Sequence, residues 1–179
     1  MDHKQSVNKQ KLLNDFINKY KYLPAQRSEE WIQSRKFSIG GSEMSTICGY
    51  NSYKKIRDLI EDHLGITKFN GNINTYWGSI LEDLVVKILQ DKWNCTIYET
   101  GSLPGAIDLQ KYSPDGLVYL EFLDKIILLE IKSPARRVSN GRIPRGYKPQ
   151  VWTGLDSIPI ADEAIFVDDN IKKNLEKGD

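Results

Sequence analysis

The sequence predicts an α/β or α+β domain, with helices packed on a β-sheet. Three observations carry that expectation. Apolar residues recur at helical spacing through the first half of the 179-residue chain. After Asn94 they gather instead into short runs set off by turn residues, as strands do. With 40% hydrophobic and 27% charged residues, the chain can bury a core and reads as one globular domain.

The elements follow in order. Leu12, Leu13, Phe16, Ile17 and Tyr20 predict an opening amphipathic helix, ended by Pro24. Ser28, followed by Glu29 and Glu30, reads as the start of a helix that carries Trp31 and Arg35. Gly40-Gly41 breaks the chain, and Ser42 reads as the N-cap of a short helix ending near Gly49. Residues 54–64 predict a further helix, closed by Gly65, and Asn70-Gly71-Asn72 a loop. The longest helix is expected over 75–92, with a wide apolar face from Trp77, Ile80, Leu81, Leu84, Val85, Ile88 and Leu89. Residues 96–98 read as a strand, and a weaker one is expected near Ile107. Leu117-Val118-Tyr119-Leu120 and Ile126-Ile127-Leu128-Leu129 form a hairpin candidate around Asp124-Lys125. A short helix over 147–155 and a strand over 164–167 complete the domain, and the charged tail 170–179 is expected to fray.

Composition excludes several kinds of chemistry. Two cysteines, Cys48 and Cys95, make no disulfide framework, no four-cysteine iron–sulfur site and no all-cysteine zinc site. The two histidines, His3 and His63, sit in no recognisable motif. A catalytic metal must then rest on carboxylates, which favours a hard cation such as Mg²⁺ or Mn²⁺. No apolar run approaches a membrane span, and the polar, Lys-rich residues 1–14 hold no signal-peptide core, so an intracellular protein is the expectation. The formal charge of +1 points to no partner, but residues 132–155 hold no acid and carry Lys132, Arg136, Arg137, Arg142, Arg145 and Lys148. Such a strip suits phosphates; a solvated basic loop has the same composition.

Asp115 stands at the start of one hairpin strand, in Ser113-Pro114-Asp115-Gly116, and Glu130-Ile131-Lys132 at the end of the other. Alternation puts Glu130 and Lys132 on one face, about 6.6 Å apart along the strand, and the hairpin brings Asp115 beside them. Two carboxylates can hold Mg²⁺ and leave positions for water and phosphate. Lys132 would orient or help deprotonate an attacking water and stabilise the transition state of phosphodiester hydrolysis. The Ile131 carbonyl is a further candidate ligand. Taken singly, Asp-Gly is a common turn and Glu-x-Lys a common exposed pair. The apolar run around Glu130 argues otherwise, because a buried charge needs a partner or a metal. Glu82 borders the apolar face of its helix, where it could reach the metal shell or serve as an ordinary edge-of-stripe glutamate.

Taken together these pieces resemble the lambda-exonuclease and YqaJ-type viral recombinase family, a branch of the PD-(D/E)xK nucleases. Trp31 and Arg35, Ile39-Gly40-Gly41-Ser42-Glu43, Trp77-Gly78 with Glu82, Ser113-Pro114-Asp115-Gly116, Glu130-Ile131-Lys132-Ser133-Pro134 and Tyr147-Lys148-Pro149-Gln150 match its motifs in order. The resemblance implies a restriction-endonuclease-like central mixed β-sheet flanked by helices, with residues 1–26 a helical extension and 27–179 the nuclease domain. It implies Asp115, Glu130 and the Ile131 carbonyl as metal ligands, Lys132 as the catalytic lysine, and Glu82 and Gln150 placing water or metal at the site's edge. Arg35 and Ser42 would bind a DNA phosphate, in the family that of the 5′ end. A serine opening a helix after two glycines suits that role, and suits a plain N-cap equally. The implied protein is an exonuclease degrading double-stranded DNA from 5′-phosphorylated ends, with Mg²⁺ or Mn²⁺, two ions in all. It would serve viral or phage recombination and repair, with a single-strand annealing protein as partner and association into a homo-oligomer. Only twelve residues follow Val167, a departure from the family's usual further strand and helix that bears on its ring-shaped trimer. An endonuclease with the same site, or a non-catalytic DNA-end binding module, are the alternatives.

Overall fold

A computed structural model describes residues 3–67, 73–134, 137 and 139–169. Its centre is strand β5 (Lys125–Lys132), paired antiparallel with β4 (Gly116–Leu120) and parallel with β6 (Glu163–Asp168). Six consecutive β5 residues, 126–131, are buried, the pattern of a strand covered on both faces. Ile126 and Leu128 face helix α1 (His3–Tyr20) in a cluster with Leu13, Leu103, Tyr112, Leu117 and Ile158. Ile127 and Leu129 join Val118, Leu120 and Ile97 on the other face, under Val86, Leu89 and Trp93 of helix α5 (Ile73–Trp93).

The hairpin lies where the sequence puts it. Its connection is a 3-10 turn over Glu121–Leu123, and Asp124 takes a left-handed conformation at φ 50°. Lys9 of α1 fastens this end, donating to the Asp124 carbonyl at 2.6 Å and pairing with Asp162 at 3.0 Å.

A second mixed sheet has the order β1 (Ile39–Gly40), β3 (Gln110–Tyr112), β2 (Leu103–Pro104). The expected mixed sheet with helices around it is therefore present, divided in two. Helix α2 (Glu29–Arg35) is capped by Ser28, whose hydroxyl accepts the Trp31 N–H at 3.1 Å. Helix α4 (Ile56–His63) falls within its expected span, and α6 (Lys148–Ser157) follows a 3-10 turn over Arg145–Tyr147.

Four expectations need correction. The strand over 96–98 shrinks to a single antiparallel bridge between Tyr98 and Leu117. Ile107, expected in a strand, sits exposed in the turn between β2 and β3, where the Gln110 side-chain oxygen accepts the Ala106 N–H at 3.1 Å. Ser42 opens no helix: it lies inside a 3-10 turn (Gly41–Glu43) that leads into the four-residue helix α3 (Met44–Ile47). Glu43 caps that turn by accepting the Gly40 N–H at 2.7 Å. The apolar face of α5 is only half used. Leu81 and Val85 are buried, while Trp77, Ile80, Leu84 and Ile88 keep 40–46% of their surface, because the sheet covers one side of the stripe. The loop expected at 70–72 and the tail 170–179 lie outside the described residues.

Leu13 is fully buried, so α1 belongs to the main core. Leu13→Ala is expected to lower the unfolding free energy by about 2–5 kcal/mol in denaturant titration. A loss below about 1 kcal/mol would mean that α1 is dispensable to the core.

Candidate active site

The β4–β5 register pairs Gly116 with Leu129, so the next step brings Asp115 opposite Glu130. Asp115 is pinned there: its Oδ2 accepts the Ile131 N–H at 2.6 Å. The chain before it is held as well, since Gln26 donates to the Pro114 carbonyl at 2.7 Å and the Trp31 indole to Ser113 Oγ at 3.2 Å. Glu130 and Lys132 share a face of β5. The Lys132 ammonium donates to Glu130 Oε1 and to the Ile131 carbonyl at 2.9 Å, and stands 3.6 Å from Asp115 Oδ2. Three oxygens thus converge on one cation.

Glu130 is fully buried and fully partnered. Its Oε1 accepts Lys132 Nζ and the Gln150 amide of α6, and its Oε2 accepts the Tyr112 hydroxyl at 2.6 Å. Charge-assisted hydrogen bonds of this kind are what allow a carboxylate to sit away from water. Burial pushes the Glu130 carboxyl above its ordinary range; Lys132 pulls against the shift and Asp115 adds to it. Burial alone would lower the Lys132 ammonium, but Glu130 and Asp115 together raise it above its ordinary range. Burial and the facing Glu130 push the Tyr112 phenol well up, so it remains a donor.

A cavity of about 420 Å³ opens beside these groups, lined among others by Arg35, Ser42, Glu82, Asp115 and Gln150. Glu82 reaches it from α5. Burial, then the neighbouring Asp115, pushes the Glu82 carboxyl to about 7, against the pull of Arg27 and Lys132. Arg27 bonds Glu82 at 2.7 Å and Asp83 at 3.2 Å from a left-handed backbone, φ 67°. Arg35 lies over the Trp31 ring at 4.3 Å. It passes close over Gly40, where an added Cβ would come within 2.3 Å of its guanidinium nitrogen.

The basic strip divides. Arg137 forms a bidentate pair with Asp168, at 2.5 and 2.9 Å, because the parallel pairing of β5 and β6 sets Lys132 beside Asp168. Its charge is spent inside the fold, and the acid responsible lies outside the stretch that reads as acid-free. Arg142, Arg145 and Lys148 are exposed, with Arg145 stacked on Tyr50 at 4.4 Å. Arg136 lies outside the described residues.

Two residues near the chemistry escape sequence reasoning. Arg27 stands in a polar run with no pattern to mark it. Tyr112 could have been suspected, since a buried Glu130 demands donors and Tyr112 stands three residues before Asp115.

For a metal, the donors on offer are the carboxylates of Asp115 and Glu130 and the Ile131 carbonyl. Among the described residues no three His, Cys, Asp or Glu side chains gather tightly enough to hold an ion by themselves. An all-oxygen, partial set already gathered around an ammonium fits a hard cation that keeps water and phosphate in its remaining positions, as Mg²⁺ does.

Residues 30–157 match the YqaJ-like viral recombinase domain. The chain belongs to that family. Protein D345L of African swine fever virus is 27% identical over 183 residues in one strain and 28% in another. That match takes in 87% of this chain and 53% of the relative, so the chain spans about half the length of the curated relatives it matches. The fold is that of an alkaline exonuclease from Laribacter hongkongensis, LHK-Exo. Its complex with dAMP superposes with a TM-score of 0.67 at 21% identity, over 81% of this chain and 75% of that one. A second structure of the same enzyme gives 0.63 at 20% identity, over 83% and 78%. The family and the fold that the motifs lead one to expect both hold. Among the described residues no helix is long and apolar enough to cross a membrane.

In the metal-free protein, Glu82 ionises near 4.5 when unfolded and near 7 when folded. The folded state therefore holds the extra proton between those values. Its contribution to stability is fully present below pH 4.5 and is lost as pH rises to about 7. Unfolding titrations of wild type and Glu82→Gln across pH 4–8 are expected to diverge over that window and run parallel above it. Curves parallel throughout would show that Glu82 titrates normally.

Proposed function

We propose that this chain is a metal-dependent deoxyribonuclease domain acting from the 5′ ends of double-stranded DNA in viral-type recombination or repair. One observation carries the reading: Asp115, Glu130 and the Ile131 carbonyl converge on Lys132 where β4 begins and β5 ends, beside a cavity that also holds Arg35. Family membership and the alkaline-exonuclease fold support the same conclusion.

Asp115, Glu130 and the Ile131 carbonyl would hold Mg²⁺ or Mn²⁺, two ions in all if the family likeness extends that far. Such an ion supplies charge neutralisation at the phosphate and a more acidic water. Lys132 would orient the attacking water and give charge and hydrogen bonds to the phosphoryl oxygens. Gln150 and Glu82 border the reacting position from two different helices and orient water there. Arg35 and Ser42 line the same cavity and would receive the terminal 5′ phosphate; Ser42 does so through its hydroxyl. Arg142, Arg145 and Lys148, exposed on one stretch, would meet backbone phosphates of the duplex. LHK-Exo was solved with dAMP, and a 5′ mononucleotide is the product proposed for this chain. An annealing partner and self-association enter the proposal from the family likeness alone.

The test is end-labelled linear duplex, with and without a 5′ phosphate, beside closed circular DNA in Mg²⁺. The linear phosphorylated form is expected to be digested from its ends and the circle left intact. Asp115→Asn and Glu130→Gln are expected to lower cleavage by about 100-fold or more with folding kept. Wild-type rates in Glu130→Gln would show the site to be misassigned. Arg35→Ala is expected to raise KM for phosphorylated ends by about 10–100-fold, the worth of a charged hydrogen bond. Unphosphorylated ends should respond little. Cutting of the circle would make the enzyme an endonuclease, and binding without cleavage across Mg²⁺ and Mn²⁺ titrations a DNA-end binding module.

A further inference from the structure

We infer that Tyr112 is a positioning residue that decides which oxygen of Glu130 is open to the divalent ion. The inference rests on the metal-dependent reading above and adds a residue to it. The Tyr112 hydroxyl donates to Glu130 Oε2 at 2.6 Å, and both side chains are cut off from water, at 1% and 0% exposure.

The ring has little freedom to turn away. A Cβ added at Gly41 would stand 2.4 Å from Tyr112 Cδ2, and one at Gly154 would stand 2.5 Å from Cζ and 2.7 Å from the hydroxyl oxygen. Two glycines from separate elements thus lie directly against the ring, where neither could carry a side chain without displacing it. Gly41 begins the 3-10 turn next to Gly40, over which Arg35 passes, and Gly154 lies one helical turn beyond Gln150 on α6. The buried ring is closely packed at both places, and its hydroxyl holds the carboxylate.

The two oxygens of Glu130 therefore differ. Oε2 accepts a hydrogen bond from a buried, closely packed phenol. Oε1 meets Lys132 and Gln150, and through Lys132 it shares a cation with the Ile131 carbonyl and Asp115. Lys132 sits on a flexible stem and keeps 24% of its side chain exposed, so it can yield its place. Oε1, free of the phenol, is the Glu130 oxygen that would be offered to an ion, and Tyr112 would hold the plane of the carboxylate that presents it. Loss of the hydroxyl frees the carboxylate to rotate, and ion affinity falls.

The whole chain is titrated with Mn²⁺ in the absence of DNA as wild type, Tyr112→Phe and Glu130→Gln, with free Mn²⁺ read by electron paramagnetic resonance. Thermal unfolding and the Mg²⁺ dependence of cleavage are measured alongside. Glu130→Gln is expected to lose the tight ion. Tyr112→Phe is expected to fold and to bind Mn²⁺ about 10–100-fold more weakly, the usual cost of removing a hydrogen bond to a metal ligand. Its Mg²⁺ midpoint should rise by a similar factor while KM for DNA holds. A residue that only fills the core would move the melting temperature and leave these affinities alone. Wild-type Mn²⁺ and Mg²⁺ constants in Tyr112→Phe, with Glu130→Gln impaired, overturn the role of Tyr112 and spare the metal site. Wild-type Mn²⁺ binding in Glu130→Gln overturns both. If Tyr112→Phe does not fold, wild type labelled with ¹³C at tyrosine Cζ decides. One of its nine tyrosine resonances should move saturably with Mg²⁺ as the ion draws charge from Glu130, and the absence of such a shift refutes the inference.

Discussion

A negative charge placed where no water reaches is the constraint around which this fold is arranged. Glu130 lies on the central strand, between residues that are all buried. Taking an ion out of water costs several kcal/mol, even after the protein relaxes. Three donors offset that cost, and each comes from a different element: Lys132 from the same strand, Gln150 from α6 and Tyr112 from the second sheet. Removing one partner of a buried ion pair typically costs about 3–5 kcal/mol. The arrangement of α6 and β3 around β5 is thus a requirement of the charge as much as of apolar packing.

The same constraint links parts of the molecule that look unrelated along the chain. The Tyr112 ring has to reach Glu130, so the backbone at Gly41 and Gly154 has to stay bare. Gly40, one residue earlier, is bare for another reason, the passage of Arg35. Adjacent glycines therefore serve two different side chains, one that steadies the carboxylate and one that faces the cavity. Trp31 joins the two regions by lying under Arg35 and holding Ser113 beside Asp115.

Much of this was legible in the residues. The apolar run 126–131 around Glu130 marks a buried strand, and the apolar runs on either side of Asp124-Lys125 mark the hairpin. Alternation then placed Glu130 and Lys132 on one face, and the hairpin brought Asp115 to them. What escaped was decided by partners distant in the chain. Thr96 and Tyr98 look like strand residues, yet strand identity needs a continuous partner, and only Leu117 is offered. Ile107 has strand propensity, but a glutamine side chain holds its neighbourhood in a turn. Arg137 reads as free until the parallel strand delivers Asp168. Ser42 has the right residue type for a cap, but Glu43 takes that position's work by reaching back to Gly40. Arg27 follows no periodicity, because its partners Glu82 and Asp83 belong to a helix more than fifty residues away.

The ammonium of Lys132 sits on the very oxygens that suit a divalent cation. A zinc finger without its ion is a chain of repelling ligands and stays unfolded. Here the repulsion is already cancelled by a charge built into the polypeptide. Under the proposed metal-dependent reading, folding of the chain and loading of its centre would be separate events, and ion supply would set how much of the folded protein is armed.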